Sequence, residues 1–256
     1  MPADLDLDKS VRDFAQRMGD NTLILGQQVS AWCGHAPVLE EDIALANMAL
    51  DLIGQTRLWL GLAADIQGEG RNADDLAFLR DAREFKNCLL VEQPNGDFAH
   101  TLMRQYLFDA WHLPMLTALK SSSDSRIAEI AEKSAKEATY HLERSENLVI
   151  SLGDGNQESH DRMQAALETL WPFTGELTRS DDLDEELASN GIAPDLAGIK
   201  AQYENHLNAT LDAATLVAPE GVGMRKGGKS GLHSEGLGFI LADMQWLQRA
   251  YPGATW

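Results

Sequence analysis

The chain has 256 residues, 44% of them hydrophobic, which is enough to bury the core of one large domain or two small ones. Its formal net charge of −19 repels phosphate backbones and anionic lipids, which argues against nucleic acid and membranes as general partners. The two cysteines lack metal-binding spacing, and neither a signal peptide nor an apolar run of membrane-spanning length is found. A reduced, cytoplasmic setting is therefore expected.

The spacing of apolar residues predicts long helices along most of the chain. Four of them cover about residues 10–33, 40–67, 96–121 and 125–152, with Ser10 as a possible N-cap of the first. The second is apolar nearly all round, as expected of a helix at the centre of a bundle. Residues 73–93 also look helical, and further helices are predicted at about 159–178, 181–189, 194–216 and 234–251.

Each long helix carries a seam of apolar residues spaced alternately by three and four positions. The seams run from Val11 to Trp32, from Leu45 to Ile66, from Ala99 to Leu116 and from Ile127 to Leu152. Four such helices form a four-helix bundle when their seams meet inside. We therefore predict an all-α fold, a ferritin-like four-helix bundle with additional C-terminal helices. One domain is expected over 1–256, with the core bundle at about 10–152 and the C-terminal helices at about 158–251, since no linker is visible.

Ionisable side chains stand at the middle of two seams, where apolar ones are expected. These are Asp109 on the third helix and His141 on the fourth, with Glu137 one step to the side of the seam. A ferritin-like dimetal site needs a carboxylate on one helix and Glu-x-x-His on the next, twice over. The corresponding positions hold Thr22, Leu52 and Gln55 in the first half, and Asp109, Ala138 and His141 in the second.

These positions predict a dimetal site that has lost its ligands, within a duplicated helix pair. The offset from Thr22 to Leu52 is 30 residues, and the offset from Asp109 to Ala138 is 29. Leucine and alanine cannot bind a metal ion, and glutamine is a weak neutral ligand. Asp109, Glu137 and His141 are then remnants, and a buried hydrogen-bonded pair of Asp109 and His141 would fix the helix register.

Several long blocks of the sequence resemble one known family. The blocks are "WCGHAP" (32–37), "ALANMALDLIGQ" (44–55), "LLVEQPNGDFAHTLMRQYLFDAWH" (89–112), "KEATYHL" (136–142) and "RKGGKSGLHSEGLGFILADMQWLQRAYPGATW" (225–256). Together they resemble the C-subunit family of the bacterial phenylacetyl-CoA epoxidases over nearly the whole chain. The resemblance implies a ferritin-like helical fold.

The resemblance also implies a set of partners. A related catalytic A subunit would carry the di-iron centre, and this chain would pair with it as a structural partner without metal or catalytic residues. A small B subunit and a reductase with flavin and iron–sulfur groups would complete the complex. The overall reaction would insert one oxygen atom from O2 into the aromatic ring of the CoA thioester, with NADPH as electron source. The degenerate ligand positions agree with a non-catalytic role.

A basic, glycine-rich segment, "GMRKGGKSGLH" (223–233), stands out in the acidic chain. Glycine-rich turns and lysines can hold phosphates, so Arg225, Lys226 and Lys229 are candidates for contact with the phosphates of CoA. The alternatives are a solvated connection or a loop that docks on an acidic partner surface. Two other functions also remain open: a ferritin-like dimetal oxidoreductase with ligands in another register, and a stand-alone helical adapter. The isolated chain could form a homodimer.

Overall fold

The computed structural model describes residues 2–254, with side chains from Leu7 onward. In chain order the helices are α1 (Pro2–Trp32), α2 (Leu39–Gln67), α3 (Ala73–Phe78), α4 (Phe98–Leu119), α5 (Ser125–Gly153), α6 (Gln157–Leu170), α7 (Asp182–Ser189), α8 (Leu196–Ala213) and α9 (Glu235–Ala250). Short 3-10 segments lie at Ala82–Glu84, Trp171–Glu176 and Gly228–Ser230. Residues 2–254 contain no β-strand, so the prediction of an all-α chain is confirmed. No helix in this range is long and apolar enough to cross a membrane.

The helices form two compact units. Met1–Glu92 and Gly227–Trp256 make up one, here called the terminal unit, and Gln93–Lys226 make up the other, the central unit. The terminal unit contains α1, α2, α3 and α9, and the central unit contains α4 to α8. Each unit is built on one long helix pair, α1 with α2 and α4 with α5. The single domain remains a prediction, and residues 1, 255 and 256 of its range lie outside the described residues.

Helix α1 begins at Pro2, so the expectation that Ser10 caps its N-terminus is wrong. Ser10 is a buried residue inside the helix. Proline suits the first helical position, because that position needs no N–H donor and the ring presets φ. The other three long helices begin and end within two residues of the predicted positions.

The segment after α3 is mostly not helical, contrary to the prediction for residues 73–93. The helix ends at Phe78, and tertiary hydrogen bonds take over the polar groups that follow. The backbone N–H of Lys86 donates to Asp20 of α1 at 2.8 Å, and that of Cys88 donates to Asn21 of α1 at 2.8 Å. Because a helix would need the same N–H groups, these contacts override the local helix propensity.

Helices α1 and α2 of the terminal unit pack antiparallel. Phe14 meets Trp59 edge to face with ring centroids 6.3 Å apart, whereas Thr22, farther along α1, contacts Thr56. Gly19 allows the close approach, since a Cβ there would lie 2.7 Å from Cδ2 of Leu60. The predicted seams are buried except near some ends, where Trp32, Ile66, Leu113, Leu148 and Leu152 are partly exposed.

Candidate functional site

Asp109 lies in the middle of α4 with no exposed surface, and two donors hold its carboxylate. Gln105, one turn earlier, donates from Nε2 to Oδ1 at 2.7 Å. Ser145 on α5 donates from Oγ to Oδ2 at 2.9 Å. His141 is fully buried too and acts electrostatically on Asp109, whereas Glu137 is half-buried. The carboxyl group therefore connects α4 with α5 in the interior of the central unit.

Burial controls the ionisation of this cluster. It raises the pKa of Asp109 to about 7, against the opposing effects of the His141 charge and the hydrogen bonds from Ser145 and Gln105. Burial, followed by the charge of His141, lowers the pKa of His112 to about 3. Within the described residues neither ring nitrogen of His112 has a hydrogen-bond partner. Burial thus favours the neutral forms of both Asp109 and His112.

Asp109→Asn is expected to stabilise the protein at about pH 8 by on the order of 1–3 kcal/mol. A folded-state pKa above the unfolded value means that the folded chain keeps this proton longer, so stability falls as pH rises from about 4 to about 7. The amide carries no charge, and its Nδ2 can donate to Oε1 of Gln105, a buried acceptor without a partner among the described residues. Urea unfolding at about pH 5 and pH 8 measures the difference.

The matched control for this prediction is Ser145→Ala. It removes one donor to Asp109 but keeps the titrating carboxyl group, so its pH dependence should persist. An Asp109→Asn protein that loses stability between about pH 5 and pH 7 as steeply as the wild type would contradict the assignment.

The first half of the predicted metal site lies in the terminal unit and is occupied by hydroxyl groups. Oγ1 of Thr22 lies 2.9 Å from Oγ1 of Thr56 and 3.1 Å from the carbonyl oxygen of Gly19. Thr56 donates in turn to the carbonyl oxygen of Leu52 at 2.9 Å. The Leu52 and Gln55 side chains are buried. Where metal ligands are expected, the hydroxyl groups of α1 and α2 therefore form hydrogen bonds with each other and with backbone carbonyl oxygens.

The side chains at the predicted ligand positions do not fit a two-iron centre. Leu52 and Ala138 have no ligand atom, Gln55 is neutral, and the Thr22 hydroxyl is hydrogen-bonded. Asp109 is a carboxyl group at an expected position, but its two oxygens accept hydrogen bonds from Gln105 and Ser145. Among the side chains from Leu7 to residue 254, no group of three or more His, Cys, Asp and Glu could hold a metal ion.

A second buried carboxylate, Glu92, organises the terminal unit and was not singled out by the sequence patterns. Its Oε2 accepts from Asn87 at 3.0 Å and pairs with Nδ1 of His233 at 2.8 Å. Its Oε1 accepts from the backbone N–H of Ser234 at 2.6 Å. Nε2 of His233 lies 2.9 Å from the carbonyl oxygen of Phe85. Because both ring nitrogens face acceptors, His233 donates twice and is a cation.

The pKa of His233 is raised, in agreement with this geometry. Burial alone would lower it, but the hydrogen bonds with Glu92 and the Phe85 carbonyl and the charges of Glu92 and Asp20 outweigh burial. The partners His233 and Glu92 are 141 positions apart in the chain. No local pattern could connect them. The sequence feature that could have drawn attention to Glu92 is its position directly after the apolar run 89–91.

A buried ion pair joins Asp20 of α1 to Arg80 in the same unit. Their side chains are 0% and 2% exposed, and Nη1 of Arg80 donates to Oδ2 of Asp20 at 3.0 Å. Nη2 makes a second bond to Oδ1, so the pairing is bidentate. The guanidinium also lies 4.2 Å from the ring centroid of Phe85. This pair fixes the segment that replaces the predicted helix.

The three cations of the predicted CoA contact are divided between the units. Arg225 and Lys226 are exposed and belong to the central unit, whereas Lys229 is half-buried and belongs to the terminal unit. Gly228 packs against the Asn87 carbonyl oxygen, which a Cβ would overlap. Close backbone packing therefore accounts for a glycine at this position without a bound phosphate.

Helix α2 presents apolar side chains on two opposite faces. Its seam is buried, but Leu39, Ile43, Leu50 and Ile53 are 70%, 53%, 67% and 36% exposed. Their spacing of four, seven and three residues places them on one side, here called the α2 outer face. At Gly54 a Cβ would meet nothing within 4 Å. The expectation that α2 is enclosed all round is therefore wrong for this face.

The fold and the polar interiors define a class of protein: a ferritin-like helical bundle in which hydroxyl, alkyl and amide groups stand at most of the dimetal ligand positions. The chain belongs to the phenylacetic acid catabolic protein family, whose model matches residues 5–256. It is 49% identical over 243 residues to the C subunit of the 1,2-phenylacetyl-CoA epoxidase of Escherichia coli strain K12. That match covers 95% of this chain and 98% of the relative. The family resemblance found in the sequence is thus confirmed.

Proposed function

We propose that this chain is the non-catalytic C subunit of a phenylacetyl-CoA 1,2-epoxidase in aerobic phenylacetate degradation. The observation that carries the proposal is 49% identity to an epoxidase C subunit along almost the full length of both chains. The ligand positions support it, because Leu52 and Ala138 cannot bind iron. The chain itself holds no cofactor in this proposal and works in the cytoplasm.

The chemistry then belongs to partner subunits. A di-iron A subunit would activate O2 and insert one oxygen atom into the ring of the CoA thioester. A reductase with flavin and iron–sulfur groups would deliver electrons from NADPH, and a small B subunit would complete the complex. The role of this chain is to pack against the A subunit and stabilise the assembly.

We assign the α2 outer face to the contact with the A subunit. Large apolar side chains in water are unfavourable by about 25 cal/mol for each Å² exposed, and four of them follow one line on α2. Gly54 leaves room there for the close approach of a partner helix. The proposed A subunit is a related helical protein, so it offers helices that can pack along this apolar face. The other possible occupant, a second copy of this chain, is an outcome of the same experiment.

Co-expression with the A subunit from the same organism tests the proposal. We expect the two chains to co-elute in size-exclusion chromatography, with iron bound by the complex and none by this chain purified alone. The double variant Ile43→Asp/Leu50→Asp should lose co-elution, because burying two carboxylates at the contact raises Kd by at least about tenfold. Tyr140→Asp is the matched control, an exposed aromatic on α5 of the central unit.

Three results would contradict this assignment. About two irons bound by the isolated chain would favour a dimetal oxidoreductase. No co-elution of the wild-type chains would favour a stand-alone helical adapter. If the double variant changed only the size of the isolated chain, the α2 outer face would be the contact of a homodimer.

A further inference from the structure

The central unit contains a cavity of about 320 Å³ beside the 3-10 segment that follows α6. This volume lies at the lower end of the range for small-molecule sites. The lining includes Trp171, Arg179, Lys200, Tyr203, Glu204 and Arg225. The cavity lies apart in sequence from Asp109 and from the α2 outer face, and the proposed structural role does not use it.

The charge of the lining is opposite to that of the chain. Arg179, Lys200 and Arg225 contribute three cations, against one carboxylate, Glu204, which lies 3.7 Å from Nζ of Lys200. The whole chain, by contrast, has a net charge of −19. A concave surface with cations focuses a positive field on whatever enters it. The cavity therefore favours an anionic ligand.

The rim that carries Arg225 is held in place by its backbone. The N–H of Arg225 donates to the carbonyl oxygen of Pro172 at 2.7 Å. The preceding residue, Met224, packs on Gly175, where a Cβ would come within 2.8 Å of Cγ of Met224. These contacts fix the loop over the 3-10 segment. The loop that carries Arg225 to the cavity is thus held by a backbone hydrogen bond and by the packing of Met224.

Two aromatic side chains, Trp171 and Tyr203, also line the cavity. Trp171 is half-buried, and Tyr203 is 3% exposed. Flat aromatic surfaces bind planar rings by stacking, and guanidinium groups bind phosphates through two parallel hydrogen bonds. An inorganic anion alone would need neither the aromatic walls nor this volume.

We propose that the cavity binds a phosphorylated compound with a planar ring, the chemistry of an adenosine phosphate. Arg179 and Arg225 would bind the phosphates, and Trp171 would contact the ring. Two sources share this chemistry: the nucleotide end of coenzyme A and a free adenine nucleotide. Only the coenzyme A source rests on the proposed function. Of the residues predicted from the sequence, the proposal keeps Arg225 and replaces Lys226 and Lys229.

Isothermal titration of the purified full-length chain with coenzyme A, ADP and pyrophosphate tests the inference. We expect coenzyme A or ADP to bind with a Kd between about 1 µM and 1 mM, and more weakly as salt is added. Arg179→Ala/Arg225→Ala should raise Kd by at least about tenfold. Lys226→Ala is the matched control, since this cation is exposed beside Arg225 but does not line the cavity.

The outcomes separate the parts of the proposal. Affinity for coenzyme A well above that for ADP identifies the thioester carrier as the source, and equal affinity identifies adenine nucleotides in general. No binding at about 1 mM, or the same Kd in the double arginine variant, would overturn the site. Pyrophosphate binding as tight as ADP would overturn the ring contact. These titrations use the isolated chain, so their result is independent of whether the chain co-elutes with an A subunit.

Discussion

Asp20→Asn is expected to lower the free energy of unfolding by about 3–5 kcal/mol, because it leaves the Arg80 cation buried without its counter-charge. The amide keeps the shape of the carboxylate, so the loss reports charge and hydrogen bonding rather than packing. Asp20 also accepts the backbone N–H of Lys86, and the variant weakens that bond as well. Urea denaturation followed by far-UV circular dichroism measures the change.

The same helix offers a matched control. Asp13 pairs with Arg12 at 2.6 Å, but both side chains are partly exposed to water, and Asp13→Asn should cost less than about 1 kcal/mol. Replacing both partners, in Asp20→Asn/Arg80→Met, should recover part of the loss, since no uncompensated charge remains buried. An Asp20→Asn protein as stable as Asp13→Asn would show that the buried pair contributes nothing.

Glu92→Gln is expected to cost about 2–4 kcal/mol at about pH 6, because one carboxylate serves three donors and balances the His233 cation. The amide can accept at one atom only, and its NH2 group then faces donors. The folded-state pKa of His233 is raised, so its stabilising effect is complete below the unfolded pKa of about 6.5. The effect is lost as pH rises through the folded pKa.

The pH dependence separates this prediction from a simple packing defect. The deficit of Glu92→Gln relative to wild type should be largest at about pH 6 and should shrink as pH rises through the raised folded-state pKa of His233. Asp97→Asn is the control, because its pair with His100 at 2.7 Å is partly exposed and worth about 1 kcal/mol or less. A deficit that is already absent at about pH 6, below the unfolded pKa of histidine, would contradict the charged state of His233.

The long helices could be predicted from local patterns. Their seams obey the spacing that places side chains on one face, and burial follows that spacing from Val11 onward. The local pattern failed where distant residues decide the structure. Residues 79–92 have good helix formers, but Asp20 lies 60 positions from Arg80, and that contact is invisible to any window along the sequence.

In the candidate site, too, local patterns predicted some residues, whereas contacts between distant residues could not be predicted. Asp109 could be recognised as a polar interruption of a seam, and Ser145 stands on the facing seam one turn beyond His141. Gln105 lies off the seam, so the donor it provides was not anticipated. The cavity beside Trp171 joins residues of the 3-10 segment, α8 and the loop at Arg225, and no single motif contains them. The apolar α2 outer face was visible in sequence but read as interior, because periodicity does not tell a core from a protein–protein contact.

The terminal unit has a consequence for how the chain folds as the ribosome makes it. Asn87 and Glu92 belong to its first segment and are synthesised early. Their partners His233 and Ser234 are synthesised only after all of the central unit has been translated. The central unit can therefore complete its helices while the growing terminal unit still waits for its last contacts. Nascent chains that stall before residue 227 should consequently be the ones that chaperones and proteases recognise.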